Sequence, residues 1–313
     1  MQVVILSKQG WHADELFRAL GERGHEGRVL PYEAVVARLG GRLRGAGALV
    51  RQDEGLSCGQ TSILDADAVL ARFIPAGSLD QIIYRVDALH WIEEHGVPVM
   101  NSPRAIERSV DKFYTDTRLR EAGLPTPETV VCERTEDAMA AVREMLKLGD
   151  VVIKPIFGSM GHGIVRVGDP DVAARVLQSL EQIRPVFYVQ RAVDSGGRDV
   201  RAFIVGGRVL GAIERSAKDG DWRANVSRGG SARPFDLPPA WESLALRAAA
   251  AVGADYAGVD LLPATDGGVF VLEVNAIPGW QGLQGATGID VAGSIVDHLL
   301  NRVRESRAAT VPA

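Results

Sequence analysis

Three side chains with oxygen donors lie on two short apolar segments within residues 258–279. Glu273 and Asn275 are two residues apart, so on a strand both point to one face. Residues 265–268 predict a hairpin loop, and a loop of four residues places Asp260 opposite Glu273. Two carboxylates and an amide suit a hard divalent ion, especially magnesium. The alternative is a polar strand face in water, but an unpaired buried carboxylate would be expensive.

A second stretch of chemical interest, VVIKPIFGSMGHG, runs over residues 151–163 and joins a strand to a loop with three glycines. Such a loop exposes backbone N–H groups to a phosphate, and Lys154 at the strand end supplies a compact positive charge. The pattern matches neither GxxxxGK[ST] nor GxGxxG. The alternative is a flexible hairpin with a surface lysine. Lys112 opens a predicted helix and could reach a phosphate, although for this pair alone an exposed ion pair with Asp111 is the favoured explanation.

Basic side chains accumulate on a predicted hairpin and on the polar segment that follows it. They are Arg201, Arg215, Lys218, Arg223 and Arg228. Several arginines beside a magnesium-binding acid cluster suit phosphoryl transfer, and they would equally hold a carboxylate substrate through paired hydrogen bonds. A solvated surface position is the default for each one alone, so the prediction rests on the ordered set.

The composition is that of an ordinary globular protein of 313 residues, with 46% hydrophobic and 24% charged residues and a formal net charge of −5. The chain has no basic bias, which argues against nucleic-acid binding, and it has no apolar run long enough for a membrane span. We therefore expect a cytoplasmic protein without a membrane partner. Cys58 and Cys132 have no metal-like spacing and are predicted to be free thiols.

The first 100 residues alternate apolar runs with helical patterns, which predicts an α/β lobe with a largely parallel sheet. Within it, residues 79–96 form a predicted amphipathic helix. Its predicted apolar face consists of Leu79, Ile82, Ile83, Val86, Leu89 and Ile92. The run 7–10 after the first strand is either a ligand loop at the carboxyl edge of the sheet or a plain turn, and the turn is favoured.

Two further lobes are predicted after a boundary near residue 101. Residues 101–188 form a small α+β lobe, and residues 189–313 form a lobe that carries the metal hairpin. A hairpin of residues 199–205 and 208–215 is predicted around Gly206 and Gly207. Residues 216–233 are predicted to be an ordered loop or lid, residues 279–288 a loop, and residues 291–304 a helix, with the end of the chain frayed.

The chain resembles the ATP-grasp superfamily in motifs that follow one another in order: Lys112, VVIKPIFGSMGHG, DVRAF, ERSAKDGDWRANVSRGG, AGVDLL and VLEVNAIPGWQGLQGATGID. Within it, the motifs are most similar to the RimK-type α-L-glutamate ligases, which include ribosomal-protein and tetrahydromethanopterin glutamate ligases. The resemblance is strong from about residue 97 onward, whereas the first lobe resembles the family only in its general pattern. It implies an ATP-grasp fold in which two lobes clasp ATP beside an N-terminal parallel-sheet lobe.

The resemblance also implies a function. ATP activates a substrate carboxylate as an acyl phosphate, which an amino acid, expected to be L-glutamate, then attacks to form an amide. The expected cofactor is magnesium, as two ions, with Mn²⁺ as the alternative metal. The acceptor is expected to be a cofactor-like small molecule, such as a pterin, or a peptide. A homodimer or tetramer is expected.

Residue roles follow position by position from the same resemblance. The expected nucleotide-binding residues are Lys112, Lys154, Gly158, Ser159, Gly161, Gly163, Gln190, Arg191, Val193, Asp199, Arg223, Ala224 and Asn225. The expected metal ligands are Asp260, Glu273 and Asn275, with Glu273 bridging both ions. The residues expected to act on the transferring phosphoryl group are Arg215, Arg223 and Asn275. Those expected to hold substrate are Arg201, Lys218 and Arg228.

The hinge departs from the family pattern, because Arg191 follows the hinge glutamine where an acidic residue is frequent. Arginine cannot accept a hydrogen bond from ribose. Either the alignment shifts locally, Asp194 substitutes, or the ribose is held differently. Two other functions stay open. One is a non-catalytic nucleotide-binding module, and the other is a kinase or another ATP-grasp ligase that makes a dipeptide or modifies a protein tail.

Overall fold

The computed structural model describes residues 1–40, 42–44, 48–50, 55–157, 163–218 and 230–310. The strands of the N-terminal lobe are β1 Gln2–Leu6, β2 Glu26–Leu30, β3 Val35–Arg38, β4 Arg42–Arg44, β5 Ala48–Val50, β6 Gly55–Cys58, β7 Thr61–Ser62, β8 Ala68–Ala71 and β9 Val99–Met100. Its helices are α1 Trp11–Glu22 and α2 Leu79–Glu94. The predicted parallel sheet is confirmed, with strand order β2-β1-β8-β9.

The central strands of this sheet are buried on both faces, which explains their continuous apolar sequence. Val3 and Ile5 of β1 enter one hydrophobic core, while Val4 and Leu6 enter another. Strand β1 lies between β2 and β8 in the sheet. The chain passes from β1 through α1 to β2 on one side of β1, and β8 pairs with β1 on the other side. The carboxyl ends of β1 and β8 therefore form a topological switch point, where open α/β sheets commonly bind ligands.

The predicted apolar face of α2 is wrong in its first half, because Leu79 is 72% exposed and Ile82 and Ile83 are also exposed. The buried face of the helix instead includes Arg85 and Leu89. Arg85 donates from Nη1 to the carbonyl of Pro75 at 2.7 Å, so a buried arginine occupies a position that hydrophobic periodicity assigns to solvent.

The middle of the chain adds helices α3 Pro103–Val110, α4 Lys112–Glu121, α5 Thr135–Met145 and α6 Pro170–Glu181. Its strands are β10 Thr129–Cys132, β11 Val151–Pro155, β12 Val165–Val167 and β13 Phe187–Arg191, in an antiparallel sheet of order β10-β13-β11-β12. Helices α5 and α6 bury Val142 and Leu177 in the core of this sheet. The division at residues 100 and 188 stays a prediction, and β13 crosses the second boundary.

The last part of the chain forms a second antiparallel sheet of order β16-β15-β14-β17-β18. Its strands are β14 Arg198–Val205, β15 Arg208–Ser216, β16 Ser231–Pro234, β17 Tyr256–Pro263 and β18 Val269–Asn275. Its helices are α7 Pro239–Val252, α8 Gln281–Thr287 and α9 Val291–Thr310. The predicted β14–β15 hairpin is confirmed: Gly206 and Gly207 have φ of 56° and 71°, as a two-residue turn of this hand requires.

Two sequence predictions in this lobe are wrong. Residues 279–288 contain α8, which was missed because its two glycines disfavour a helix. The segment predicted to fray continues α9 as far as Thr310. The predicted loop or lid stays a prediction, because residues 219–229 lie outside the described ranges; its two ends pair in strands, Ser216 with Ser231.

No helix among the described residues is long and apolar enough to cross a membrane. Cys58 and Cys132 are both free thiols, as predicted.

Candidate active site

The hairpin of β17 and β18 has the predicted pairing of Asp260 with Glu273. Its loop is one residue longer than predicted, because Pro263 pairs with Val269. A β-bulge next to Asp260 compensates for this extra residue. The pairing is therefore confirmed, although the four-residue loop from which it was inferred is wrong.

Asp260, Glu273 and Asn275 all border one cavity. Glu273 and Asn275 share a strand face, as predicted, and the Asn275 side-chain amide donates to Glu273 Oε1. The other Glu273 oxygen, Oε2, has no hydrogen-bond donor among the described residues. This all-oxygen set fits magnesium, which prefers carboxylate and amide oxygens and completes its shell with water and phosphate.

A ladder of two arginines and two aspartates crosses β15, β14 and β17 beside these oxygens. Arg215 donates to both oxygens of Asp199 at 2.5 and 2.8 Å. Arg201 donates to both oxygens of Asp260 at 2.6 Å. Arg215 also lies 2.9 Å from Asp260, which links the two pairs. Each paired arginine and aspartate are direct cross-strand neighbours, so the sheet register fixes the ladder.

The charges of the ladder balance one another inside the protein. Burial alone would raise the pKa of Asp260, but the nearby charges and hydrogen bonds of Arg201 and Arg215 outweigh it and lower the pKa to about 2. For Asp199, burial dominates and raises the pKa. The pKa of Arg215 is raised because its two aspartates outweigh its burial. Asp260 is therefore ionised, as a metal ligand must be.

Lys154 projects from β11 into a buried polar network. Its Nζ donates to Gln190 Oε1 at 2.6 Å and lies 5.8 Å from the centre of the Tyr188 ring. Tyr188 in turn donates to Asp116 at 2.7 Å. Burial lowers the pKa of Lys154 to about 8, with nearby Lys112 adding to the effect and Glu273 opposing it. A phosphate beside this lysine would favour its charged form.

Lys112 is the first residue of α4 and donates from Nζ to the carbonyl of Ile156 at 3.3 Å. Burial lowers its pKa, and Glu273 opposes the shift. The helix is capped by Asp111, whose side chain accepts from the amide of Tyr114. Lys112 and Lys154 both border the cavity, so the structure brings together two lysines that are 42 positions apart in sequence.

The cavity has a volume of about 670 Å³, which suits a pocket for small molecules. Among its described lining residues, nine are Lys or Arg and four are Asp or Glu. The cavity is therefore rich in positive charge, although the chain as a whole has a net charge of −5. Such a lining favours anions.

The structure brings together most of the described residues that the sequence predicted for the site. Those that border the cavity are Lys112, Lys154, Gln190, Arg191, Val193, Asp199, Arg201, Arg215, Asp260, Glu273 and Asn275. Lys218 and Gly163 are exposed and are not among the lining residues. The other predicted residues, Gly158, Ser159, Gly161, Arg223, Ala224, Asn225 and Arg228, lie outside the described ranges.

At the hinge, the backbone of Arg191 donates to the carbonyl of Glu128, and its side chain borders the cavity. Asp194 accepts from the Thr265 hydroxyl at 3.1 Å and from the amide of Gly196 at 3.2 Å. The carboxylate suggested as a substitute for the missing hinge acid is thus bonded to the loop of the metal hairpin.

Asn101 is a positioning residue that sequence reasoning missed. Its side-chain amide donates to the carbonyls of Tyr256 and Ala276, and its Oδ1 accepts from the amides of Asp255 and Tyr256. It thereby braces both ends of the metal hairpin. The sequence showed only its place before the helix cap Ser102, which gives no sign of this contact.

Arg72 and His12 of the N-terminal lobe also border the cavity, and the sequence predicted a role for neither. Their positions after β8 and at the start of α1 are at the carboxyl edge of the parallel sheet. The loop 7–10 lies at the same edge and also borders the cavity. The switch-point rule was the one signal that pointed to this region.

Comparison with known proteins gives a consistent result. A family described as RimK-like ATP-grasp domain matches residues 109–299. The tetrahydromethanopterin:alpha-L-glutamate ligase of Methanosarcina acetivorans is 34% identical, over 96% of this chain and 98% of its own length. A probable alpha-L-glutamate ligase of Trichodesmium erythraeum is 33% identical, over 96% of each chain.

A solved structure of the ATP-grasp ligase PsnB, in complex with a phosphomimetic variant of its minimal precursor, Mg and ADP, has a TM-score of 0.73 to this chain. It is 24% identical, and the match covers 96% of this chain and 98% of PsnB. The likeness shows that both chains share one fold, which agrees with the ATP-grasp architecture expected from the motifs.

Proposed function

Because the chain belongs to the RimK-like ATP-grasp family, we propose that it is an ADP-forming ligase that joins L-glutamate to a substrate carboxylate. The observation that carries the proposal is the content of a single cavity. Two half-buried lysines, a set of three oxygen ligands and an arginine ladder border it together. ATP, magnesium and a carboxylate each find a complementary group there.

Individual roles are proposed from these positions. Lys112 and Lys154 neutralise phosphate oxygens, and Gln190 and Val193 line the nucleotide side. Asp260, Glu273 and Asn275 would hold magnesium, and two ions are expected from the family resemblance. Magnesium, when bound, neutralises developing charge on the phosphates. Asp199 acts on Arg215, because both of its oxygens accept from that guanidinium.

The first chemical step is attack of the acceptor carboxylate on the γ-phosphorus of ATP. A new bond forms between oxygen and phosphorus, and the bond to the ADP oxygen breaks. Arg215 lies beside Asp260 and stabilises the charge on the transferring group. Sheet register and paired hydrogen bonds hold Arg215 in place, so little reorganisation is needed when charge develops.

In the second step the glutamate amine attacks the acyl phosphate. A carbon–nitrogen bond forms, inorganic phosphate leaves, and the amine loses a proton. Water must be kept from the acyl phosphate, because it would hydrolyse the intermediate. Arg201, Lys218 and Arg228 remain proposed contacts for the substrates. The acceptor class is a small molecule or a peptide, and the cytoplasmic location and a homodimer or tetramer stay predictions.

Product analysis tests the proposal. ATP, Mg²⁺ and labelled L-glutamate are incubated with a panel of carboxylate acceptors, and products are followed by mass spectrometry and ADP release. We expect ADP and an amide only when acceptor and glutamate are both present. A stable phosphoester instead of an amide would show a kinase, and nucleotide binding without turnover across the panel would favour a non-catalytic module.

A further inference from the structure

Arg72 at the switch point of the N-terminal sheet is a buried cation that has no carboxylate partner among the described residues. It is 4% exposed and follows β8 directly. Its Nη1 donates to the carbonyl of Pro278 at 3.1 Å and approaches the Tyr256 hydroxyl at 3.5 Å. Its guanidinium carbon lies 4.6 Å from the centre of the Trp280 ring. These partners are all neutral, and Nε has no hydrogen-bond partner among the described residues.

A buried charge is expensive unless an opposite charge or a full set of hydrogen bonds compensates for it. Arg72 has neither within the described part of the chain, yet it borders the cavity. An anionic ligand in the cavity would supply the opposite charge. The uncompensated charge beside a cavity therefore points to an anionic ligand rather than to a structural role alone.

The neighbouring groups at the same edge also favour an anion. Helix α1 starts at Trp11 without a side-chain cap, and among the described residues the amides of Trp11 and His12 have no acceptor. Such free amides at a helix start attract negative charge. Lys8 lies 4.7 Å from the centre of the Phe73 ring at the cavity wall, which adds a second cation.

His12 provides a neutral donor beside Arg72. Its Nε2 accepts from the backbone amide of Trp280 at 3.3 Å, so the proton of the neutral ring is on Nδ1. Burial, and secondarily the charge of Arg72, lower the pKa of His12 to about 4, which keeps the ring neutral at pH 7. The positive charge at this edge therefore comes from Arg72 and Lys8.

Apolar side chains lie between this edge and the arginine ladder. Phe203 and Ile213 are two residues from Arg201 and Arg215 along β14 and β15, and so lie on the same strand faces. The Phe203 ring lies 6.4 Å from that of Trp280, which contacts Arg72. Trp11, Phe73 and Leu283 border the same cavity. L-glutamate has no apolar body to fill such a wall, whereas an acceptor with an aromatic or aliphatic body would cover it. The two ends of the cavity thus suit an acceptor with an acid group at each end.

We propose that Arg72, Lys8 and the amino end of α1 bind a second anionic group of the acceptor, remote from the carboxylate that is activated. The acceptor class is a molecule with an apolar or aromatic body and at least two acid groups. This inference rests on the proposed ligase function, because it takes the reacting carboxylate to lie beside Arg215. The switch-point loop that sequence reasoning favoured as a plain turn becomes part of the acceptor site.

The test uses two probes that differ only in one charge: 4-(4-carboxyphenyl)butanoate and its amide analogue 4-(4-carbamoylphenyl)butanoate. Each is titrated by calorimetry into the full chain with Mg²⁺ and the ATP analogue AMPPNP. We expect the diacid to bind about tenfold to hundredfold more tightly, as for a charge-assisted hydrogen bond to a buried arginine. Equal affinities, or no binding of the diacid, would overturn the proposal.

Arg72→Gln should abolish the preference for the diacid. Arg108→Gln is the matched control, because Arg108 also donates to a carbonyl, that of Val252, and also has an unpartnered Nε, but does not border the cavity. The control should keep the preference. If Arg72→Gln does not fold, the exposed Lys8→Gln decides, with an expected loss of about twofold to fivefold in diacid affinity. A preference retained in a folded Arg72→Gln, or in Lys8→Gln when that variant decides, contradicts the assignment.

Saturating L-glutamate distinguishes the two possible sources of the anion. Unchanged diacid affinity assigns the site to the acceptor, whereas competition that depends on Arg72 assigns it to glutamate and overturns the proposal. The binding assay needs no turnover. Absence of ligation with an intact charge preference would therefore count against the proposed function alone, and ligation without the preference would count against this site alone.

Discussion

Two arginines that border one cavity are equally buried but have opposite surroundings. Arg215 in the C-terminal lobe and Arg72 in the N-terminal lobe are each 4% exposed. Arg215 donates to carboxylates of Asp199 and Asp260. Arg72 contacts a carbonyl, a hydroxyl and an aromatic ring, and its Nε has no hydrogen-bond partner in the described part of the chain. Arg215 thus has its counter-charges without ligand, and we call its side of the site the completed side. Arg72 has none among the described residues, and we call its side the open side.

The difference separates two tasks. Groups that stabilise developing charge act best when they are fixed before the reaction, since they then need no reorganisation. The ladder around Arg215 is fixed by sheet register on three adjacent strands. A group that selects a substrate gains when the ligand supplies the missing partner, because a ligand without that charge leaves the group unpaired. Arg72 is suited to the second task, the selection of a substrate.

The largest expected effect comes from the metal ligands on the completed side. Glu273→Ala should lower turnover by at least about 10³-fold, because it removes a carboxylate proposed to hold magnesium. Steady-state ADP release measures the loss, and circular dichroism checks that the fold is intact. Glu107→Ala is a suitable control, since Glu107 is paired with His90 outside the cavity lining. Normal turnover in Glu273→Ala would remove the foundation of the proposed site.

The next largest effect is on stability and concerns the ladder itself. Arg215→Met leaves Asp199 and Asp260 buried with one partner fewer, so the free energy of unfolding should fall by about 3–5 kcal/mol. Urea unfolding monitored by circular dichroism measures it. Arg134→Met, which removes an exposed pair with Asp137, should leave it unchanged within the error of the measurement. Equal changes in the free energy of unfolding would show that burial does not increase the contribution of the ladder to stability.

Lys154 supplies a pH dependence on the nucleotide side. Its pKa of about 8, lowered by burial, means that the free protein loses this charge above pH 8, while bound phosphate favours the charged lysine. ATP affinity should therefore be constant below pH 8 and fall by about tenfold for each pH unit above it. Calorimetric titration with ATP at pH 7 to 9.5 measures this. Lys154→Arg should flatten the profile, and a profile unchanged by that substitution would contradict the assignment.

Local patterns predicted the completed side better than the open side. Period-two spacing placed Glu273 and Asn275 on one face, and turn chemistry placed the hairpin at Gly206 and Gly207. Both signals lie within a few residues of the feature that they specify. The correct pairing of Asp260 with Glu273 depended on a β-bulge that no local sequence pattern predicted.

The open side could not be predicted from sequence, because its key residue acquires its surroundings from distant segments. Arg72 is surrounded by Tyr256, Pro278 and Trp280, which lie some 180 to 210 positions later in the chain. Hydrophobic periodicity also fails where an arginine is buried, as Arg85 on α2 shows. A single sequence does not show which arginine side chain will be buried.

The smallest expected effect is the sharpest test of the comparison, because it applies the same replacement to the other arginine. Arg72→Met removes a buried charge that has no carboxylate partner among the described residues and keeps an apolar side chain of similar length against Trp280, where sulfur packs well on a ring. The substitution loses the hydrogen bonds to Pro278 and Tyr256, which destabilises the fold, but it also removes the cost of burying a charge. The two effects offset each other. The free energy of unfolding should therefore stay within about 1 kcal/mol of the wild-type value in urea. A loss as large as that expected for Arg215→Met would make Arg72 a structural residue and would abolish the asymmetry between the two sides of the cavity.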